Sequence, residues 1–192
     1  SSGLSKISVQ SGTSHGGVVL ADGSIAEVKL DLNTLDELSR VARKEYGLAG
    51  AVQHGASTLP DELFHRFRQV ETAEIHLATG FQNVLYEHPA FPTELHEQIE
   101  AWVFENAADE RKPEQTDQQF VYSTRKKAIG PFKRELWDLP EAVRDSLARV
   151  YDKKFAFLFE QLNVNGTADH INRFVQAPLQ HHAALKPVLV AA

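Results

Sequence analysis

The sequence predicts an α/β fold in which parallel strand–helix units are followed by a helical extension, and three observations carry that prediction. Strand-like and helix-like patterns alternate through the first ninety residues. Three histidines, His15, His54 and His76, each follow a short apolar or alternating run, the first two directly before glycine. The second half is dominated by amphipathic helical spacing. Alternation of strand and helix is the pattern of a parallel sheet, and such sheets gather ligands at the carboxyl ends of their strands. All three histidines fall at those ends.

Ser5 to Gln10 reads as the first strand, and Val28 to Leu32 as a short further one. The segment "NTLDELSRVARKEYG" carries Leu35, Leu38, Val41, Ala42 and Tyr46 on a 3.6-residue period, with Asn33 or Thr34 to cap its start and Gly47 to stop it. Ala49 to Gln53 is the next strand. A helix from about Pro60 to Val70, capped by Thr58, turns Leu63, Phe64, Phe67 and Val70 to one face. Ala73 to Leu77 is the third strand and Gly80 to Glu87 a short helix. Next, "FPTELHEQIEAWVFENAA" is a helix with Leu95, Ile99, Trp102 and Val103 inward. The polar stretch Asp109 to Gln119 reads as a long loop, and an amphipathic helix runs from near Pro140 to near Asn163. No repeat of fixed period and no low-complexity tract interrupts this order.

Bulk composition sets the outer limits. A chain of 192 residues, 42% hydrophobic and 24% charged, suits one globular domain. The net charge of -6 comes from acids scattered among bases, with no Lys/Arg block resembling a nucleic-acid footprint, so nucleic acid is disfavoured as a partner. No apolar run nears the roughly 18 residues of a membrane span and no targeting signal opens the chain, so a soluble, cytoplasmic protein without membrane partners is expected. With no cysteine, any metal must be held by His, Asp or Glu. The absence of methionine and the start at Ser1 suggest a piece of something longer.

Neutral imidazole is a common metal ligand, and histidines at neighbouring strand mouths can converge on one ion. Gly16, Gly17 and Gly55 let the backbone approach a ligand and offer N–H groups to an anion, and the helix near Thr58 adds a positive dipole end. A metal beside a phosphate cradle is the functional reading; turn residues bonded to a nearby carbonyl are the alternative. His65, His88, His96, His170, His181 and His182 read as surface or capping residues. The basic run "STRKKAIGPFKR" is either a solvated loop or an anion site.

Four segments, in order, resemble the zinc-dependent class II fructose-bisphosphate aldolases, a (β/α)8-barrel family. "LSKIS…TSHGG" resembles the segment holding a zinc-ligating histidine before glycine, "VQHGAST" its "HGGSG" signature, and "EIHLATGFQ" its "K-x-N-x-x-T-x-x-Q" strand. "VYSTRKKAIG…LARVYDKKFAFLFEQLN" resembles the family's C-terminal basic loop and terminal helix. The resemblance spans roughly residues 3 to 165 and implies the C-terminal part of a (β/α)8 TIM barrel with a helical C-terminal extension. Residues 1–90 would be its last strand–helix units and 91–192 the extension with a basic loop.

It also implies a metal-dependent lyase: aldol cleavage or condensation of a phosphorylated ketose or triose phosphate, as in glycolysis. Zn2+ or another divalent ion would be held by His15 and His54 and would polarise the ketone. Gly16, Gly55, Ser57 and Thr79 would hold the substrate phosphate, and Arg125, Lys126 or Lys127 a second phosphate. His76 stands where the family has a catalytic asparagine, Glu74 where it has a lysine, Ala78 where it has an aspartate and Ala56 where it has the second glycine. His76 is thus the candidate catalytic residue, or a third metal ligand. The upstream half of the barrel is absent from these residues, so a homo-oligomer such as a homodimer is expected, with the missing half upstream or in another chain. The alternative is a degenerate, non-catalytic barrel that binds a phosphosugar or a protein partner.

Overall fold

The computed structural model describes residues 3–14, 16–22, 24–26 and 28–175. Strand β1 (Ile7–Val9), helix α1 (Leu32–Tyr46), strand β2 (Ala51–Gln53), helix α2 (Phe64–Gln69), strand β3 (Glu74–Ile75) and helix α3 (Thr79–Tyr86) follow one another in the expected alternation. The three strands form one parallel sheet in the order β1-β2-β3. Its register sets Ser8 beside Val52 and Val52 beside Glu74.

Side chains alternate across such a sheet, so aligned residues share a face. Val9, Ala51, Ile75 and Leu77 turn to the helix layer, where they join Leu35, Phe64 and Phe67 in one apolar core. Lys6, Ser8, Val52, His54, Glu74 and His76 fall on the opposite face. There Lys6, on β1's approach, reaches across the sheet to Glu74 on β3.

Helix α1 begins where the Asp31 carboxylate accepts from the Thr34 N–H at 3.0 Å and from its hydroxyl at 2.7 Å. That pair of hydrogen bonds moves the cap from Asn33 or Thr34 to Asp31, because Asp satisfies an orphan N–H of the first turn. Gly47, left-handed at φ 65°, closes the helix as expected. The short strand expected over 28–32 does not form. Leu32 already opens α1, and the local pairing is an antiparallel bridge between Val19 and Ile25.

The expected part of a (β/α)8 barrel is not formed. Among the described residues the sheet has three short strands, with β1 and β3 at its edges, and helices dominate. Among the described residues after Tyr86 the chain packs helix on helix, and no strand returns to the β3 edge: α4 (Thr93–Asn106), α5 (Asp117–Thr124), α6 (Lys133–Trp137), α7 (Glu141–Gln161) and α8 (Ala168–Phe174) follow. A helical α/β fold with a small open parallel sheet describes the chain. The physical reason is apolar spacing: beyond residue 91 it follows the helical period, and a ridge of Ile99, Val103, Phe120 and Leu147 finds its own core with Tyr86 and Phe91.

The polar stretch 109–119 is shorter as a loop than its composition suggests. A Thr116–Gln119 capping box starts α5 at Asp117, each side chain bonding the other's backbone N–H. The basic run after it lies in the end of α5, a 3-10 turn over Arg125–Ile129 and α6.

Helix α7 ties the two cores together, with Leu147 buried in the second and Leu158 in the first. Truncating a buried leucine to alanine costs roughly 2–5 kcal/mol, and in a chain of this length each kcal/mol lowers Tm by about 2–4 °C. Leu147→Ala and Leu158→Ala are therefore each expected to lower one common thermal transition followed by circular dichroism. Two separate transitions, each moved by only one substitution, would show that α7 does not couple the cores.

Candidate functional site

The carboxyl ends of β2 and β3 place the two described histidines of the sheet together. The His54 N–H donates to the Val9 carbonyl at 3.0 Å and the His76 N–H to the Gln53 carbonyl at 3.0 Å, so each backbone is fixed by its neighbouring strand. Their rings meet edge to face, with centroids 4.4 Å apart at an interplanar angle of 62°. Around them a cavity of about 500 Å3 is lined by Gly16, Gly55, Ser57 and Thr79, with Ile75, Leu77 and Ala78 as its apolar wall.

Two glycines make this closeness possible. Gly55 is left-handed at φ 70°, and a Cβ there would stand 3.0 Å from the Ser14 carbonyl, so the loop after β1 rests directly on the turn after β2. Gly80 sits in the first turn of α3, where a Cβ would meet the Ser57 carbonyl oxygen at 2.3 Å. That approach seats α3 against the 3-10 turn Ala56–Thr58 and brings Thr79 beside Ser57. The N-terminal turn of α3 has Ala78 at its cap position and no side-chain cap. The expected helix near Thr58 is a 3-10 turn instead, and α2 starts only at Phe64. The dipole end at this cavity belongs to α3.

Beneath the histidines lies a buried polar clamp. Gln53, fully buried, accepts from the Ser11 hydroxyl at 2.7 Å and donates to Thr13 Oγ1 at 2.9 Å and to the His54 carbonyl at 2.7 Å. Thr13 in turn donates to the same carbonyl at 2.6 Å. One amide thereby joins the loop after β1 to the end of β2. The signal was present in the sequence as a polar residue inside the run "AGAVQ", next to the histidine.

On the open face Glu74 accepts from Lys6 Nζ and contacts His76 Nε2. The Lys6 ammonium first, and His76 second, hold the Glu74 carboxyl down to about 2. Lys6 and Glu74 were invisible as partners in the sequence, since Lys6 leads into β1 and Glu74 opens β3, with β2 between them. Only the register brings them together.

Of the residues singled out in the sequence, Gly16, His54, Gly55, Ser57, His76 and Thr79 share this one cavity. His15 lies outside the described residues. Arg125, Lys126 and Lys127 do not line the cavity. Arg125 is buried in the helical core between the rings of Tyr86 and Tyr122 and donates at 2.8 Å to both Asn83 and Glu87. Lys126 and Lys127 are exposed, Lys127 paired with Glu110.

Among the described residues no group of three or more His, Asp or Glu side chains stands ready to hold a metal ion, and no helix is long and apolar enough to cross a membrane. Comparison with protein-family models, with curated proteins and with solved structures finds no match to this chain.

Two outcomes test this geometry. Gln53→Leu keeps the size but strands the Ser11 hydroxyl, while Thr13 keeps its bond to the His54 carbonyl, and an unmet buried polar group costs roughly 1–3 kcal/mol. Urea unfolding should register at least that loss, and an unchanged midpoint would show that the clamp is not formed. The second outcome concerns acid. Because the folded Glu74 carboxyl lies below its ordinary 4.5, its contribution to stability is complete above that value and is lost as pH falls through it toward about 2. Glu74→Gln should therefore cost a small amount of stability at neutral pH, because solvent screens an exposed pair, and progressively less on acidification. A constant difference across that window would contradict the pairing.

Proposed function

We propose that the cavity at the ends of β2 and β3 binds a phosphorylated ketose or triose phosphate beside a divalent metal ion and supports aldol cleavage or condensation. The observation that carries this reading is the convergence of His54 and His76 over a cavity rimmed by Ser57, Thr79 and the uncapped start of α3. The donor chemistry fits such an ion: two imidazoles stand side by side at a strand mouth in a chain without cysteine. His54 and His76 would hold it, with His15 as a further ligand by the aldolase resemblance. When bound, such an ion supplies Lewis-acid polarisation of a carbonyl oxygen.

The chain's own residues do the rest. Ser57 and Thr79 offer hydroxyl donors to phosphate oxygens, and the first turn of α3 adds the positive end of a helix that no side chain caps. Gly16 and Gly55 leave the wall without side chains, so the phosphate can lie against backbone. The Gln53 clamp fixes the loop after β1 relative to His54, which keeps both halves of the rim in one geometry.

A second reading is binding of a phosphosugar or partner without cleavage. It is favoured by the lining itself: among the described residues the cavity's titratable groups are His54 and His76, with no carboxylate in its wall.

The experiment is a titration of the full chain with Zn2+ and then with dihydroxyacetone phosphate, followed by an assay for cleavage of fructose 1,6-bisphosphate. His54→Ala should weaken metal binding. Ser57→Ala and Thr79→Val should each weaken dihydroxyacetone phosphate binding by roughly tenfold, as for loss of a hydrogen bond to a charged group. Binding without turnover would select the second reading. Absence of both metal and phosphosugar binding would overturn the proposal.

A further inference from the structure

Lys6, Glu74 and His76 form a chain of contacts across the open face of the sheet. Lys6 precedes β1, Glu74 opens β3 and His76 follows it two residues later, so Glu74 and His76 project to the same side. Lys6 Nζ bonds Glu74 Oε2 while His76 Nε2 contacts Glu74 Oε1, so the two carboxylate oxygens are divided between the two partners. Glu74 therefore has little freedom to turn. An ionised carboxylate can only accept, so the hydrogen in the Glu74–His76 contact must sit on Nε2. In the neutral ring the lone pair is then on Nδ1, the nitrogen that Glu74 does not occupy. His76 lines the cavity and Glu74 does not.

We propose that Lys6 and Glu74 are positioning residues for His76, locking its ring through an Nε2–H to carboxylate bond so that Nδ1 is the atom offered to an ion shared with His54. The inference rests on the metal reading above and adds to it the ligating atom of His76 and the two residues that select it. A histidine that binds metal commonly donates its other ring N–H to a carboxylate, which fixes the tautomer and the ring plane. Here the carboxylate is itself held by an ammonium group from the far edge strand, so the orientation of His76 depends on the sheet register. A purely structural Lys6–Glu74 ion pair would stabilise the sheet and leave the ring of His76 free to turn.

The test separates these alternatives in the full chain without metal first. At a pH where the ring is neutral, proton–nitrogen NMR of the wild type should show a slowly exchanging Nε2–H resonance for His76 and an unprotonated Nδ1. Glu74→Ala should abolish that slow exchange and Lys6→Met should speed it. Glu74→Gln keeps an acceptor oxygen at the same reach and should retain the resonance, with circular dichroism verifying that each variant folds. With Zn2+ added, Glu74→Ala should lose roughly 10–100-fold in affinity, the usual effect of removing such a supporting partner, and Glu74→Gln less. A protected Nε2–H resonance that survives in Glu74→Ala, or a wild-type ring protonated on Nδ1, would overturn the proposal. If the wild type binds no Zn2+ the metal reading fails, while the ring resonance still decides whether Lys6 and Glu74 position His76.

Discussion

The Gln53 side chain places a primary amide in the layer between sheet and helices, where every neighbouring strand residue on that face is apolar, and the site depends on how that amide is satisfied. Its oxygen takes the Ser11 hydroxyl and its nitrogen reaches Thr13 and the His54 carbonyl. A buried amide left unpaired would be costly, so the three partners must stay where they are. That requirement fixes the loop after β1 against the end of β2. The left-handed Gly55 then lets the same loop lie on the turn that follows. Backbone bonds from His54 to β1 and from His76 to β2 extend the constraint across the sheet.

The two faces of this sheet have different tasks. The helix-covered face carries the apolar residues of the first core, and its stability comes mainly from their burial. The other face carries the buried Val52 at its centre and, around it, the polar Lys6, Ser8, His54, Glu74 and His76. The contacts among Lys6, Glu74 and His76 are electrostatic and local. Glu74 sits between a cation on the far side of β2 and the imidazole at the cavity rim. An exposed ion pair contributes little to global stability. Its effect here is on orientation, because it sets which ring nitrogen of His76 remains available.

Much of the helical part was legible because helices advertise themselves at a period of 3.6. Leu35 and Ala42 in α1, Leu95, Ile99 and Val103 in α4, and the extent of α7 all follow from spacing. The convergence of His54 and His76 was legible from two strand ends in an alternating pattern. The barrel was not formed because local alternation of strand and helix is common to open sheets and closed barrels alike, and closure depends on strands that this chain does not supply among its described residues. The positions of Arg125 and Glu74 were not legible for a related reason. A basic residue in a polar-looking run reads as exposed, yet Arg125 stacks between two tyrosines and satisfies its guanidinium on Asn83 and Glu87. Glu74 meets Lys6 only through a three-strand register that no local pattern encodes.

His54 and His76 stand together in one cavity at the carboxyl ends of neighbouring strands. The most direct measurement is NMR of the full chain during a titration with a paramagnetic divalent ion such as Co2+. The account predicts that the ring resonances of His54 and His76 shift or broaden together, with one equivalent of ion, and that the amides of Ser57 and Thr79 respond in the same step. Perturbation of only one of the two rings, or of neither while resonances elsewhere in the chain respond, would contradict it.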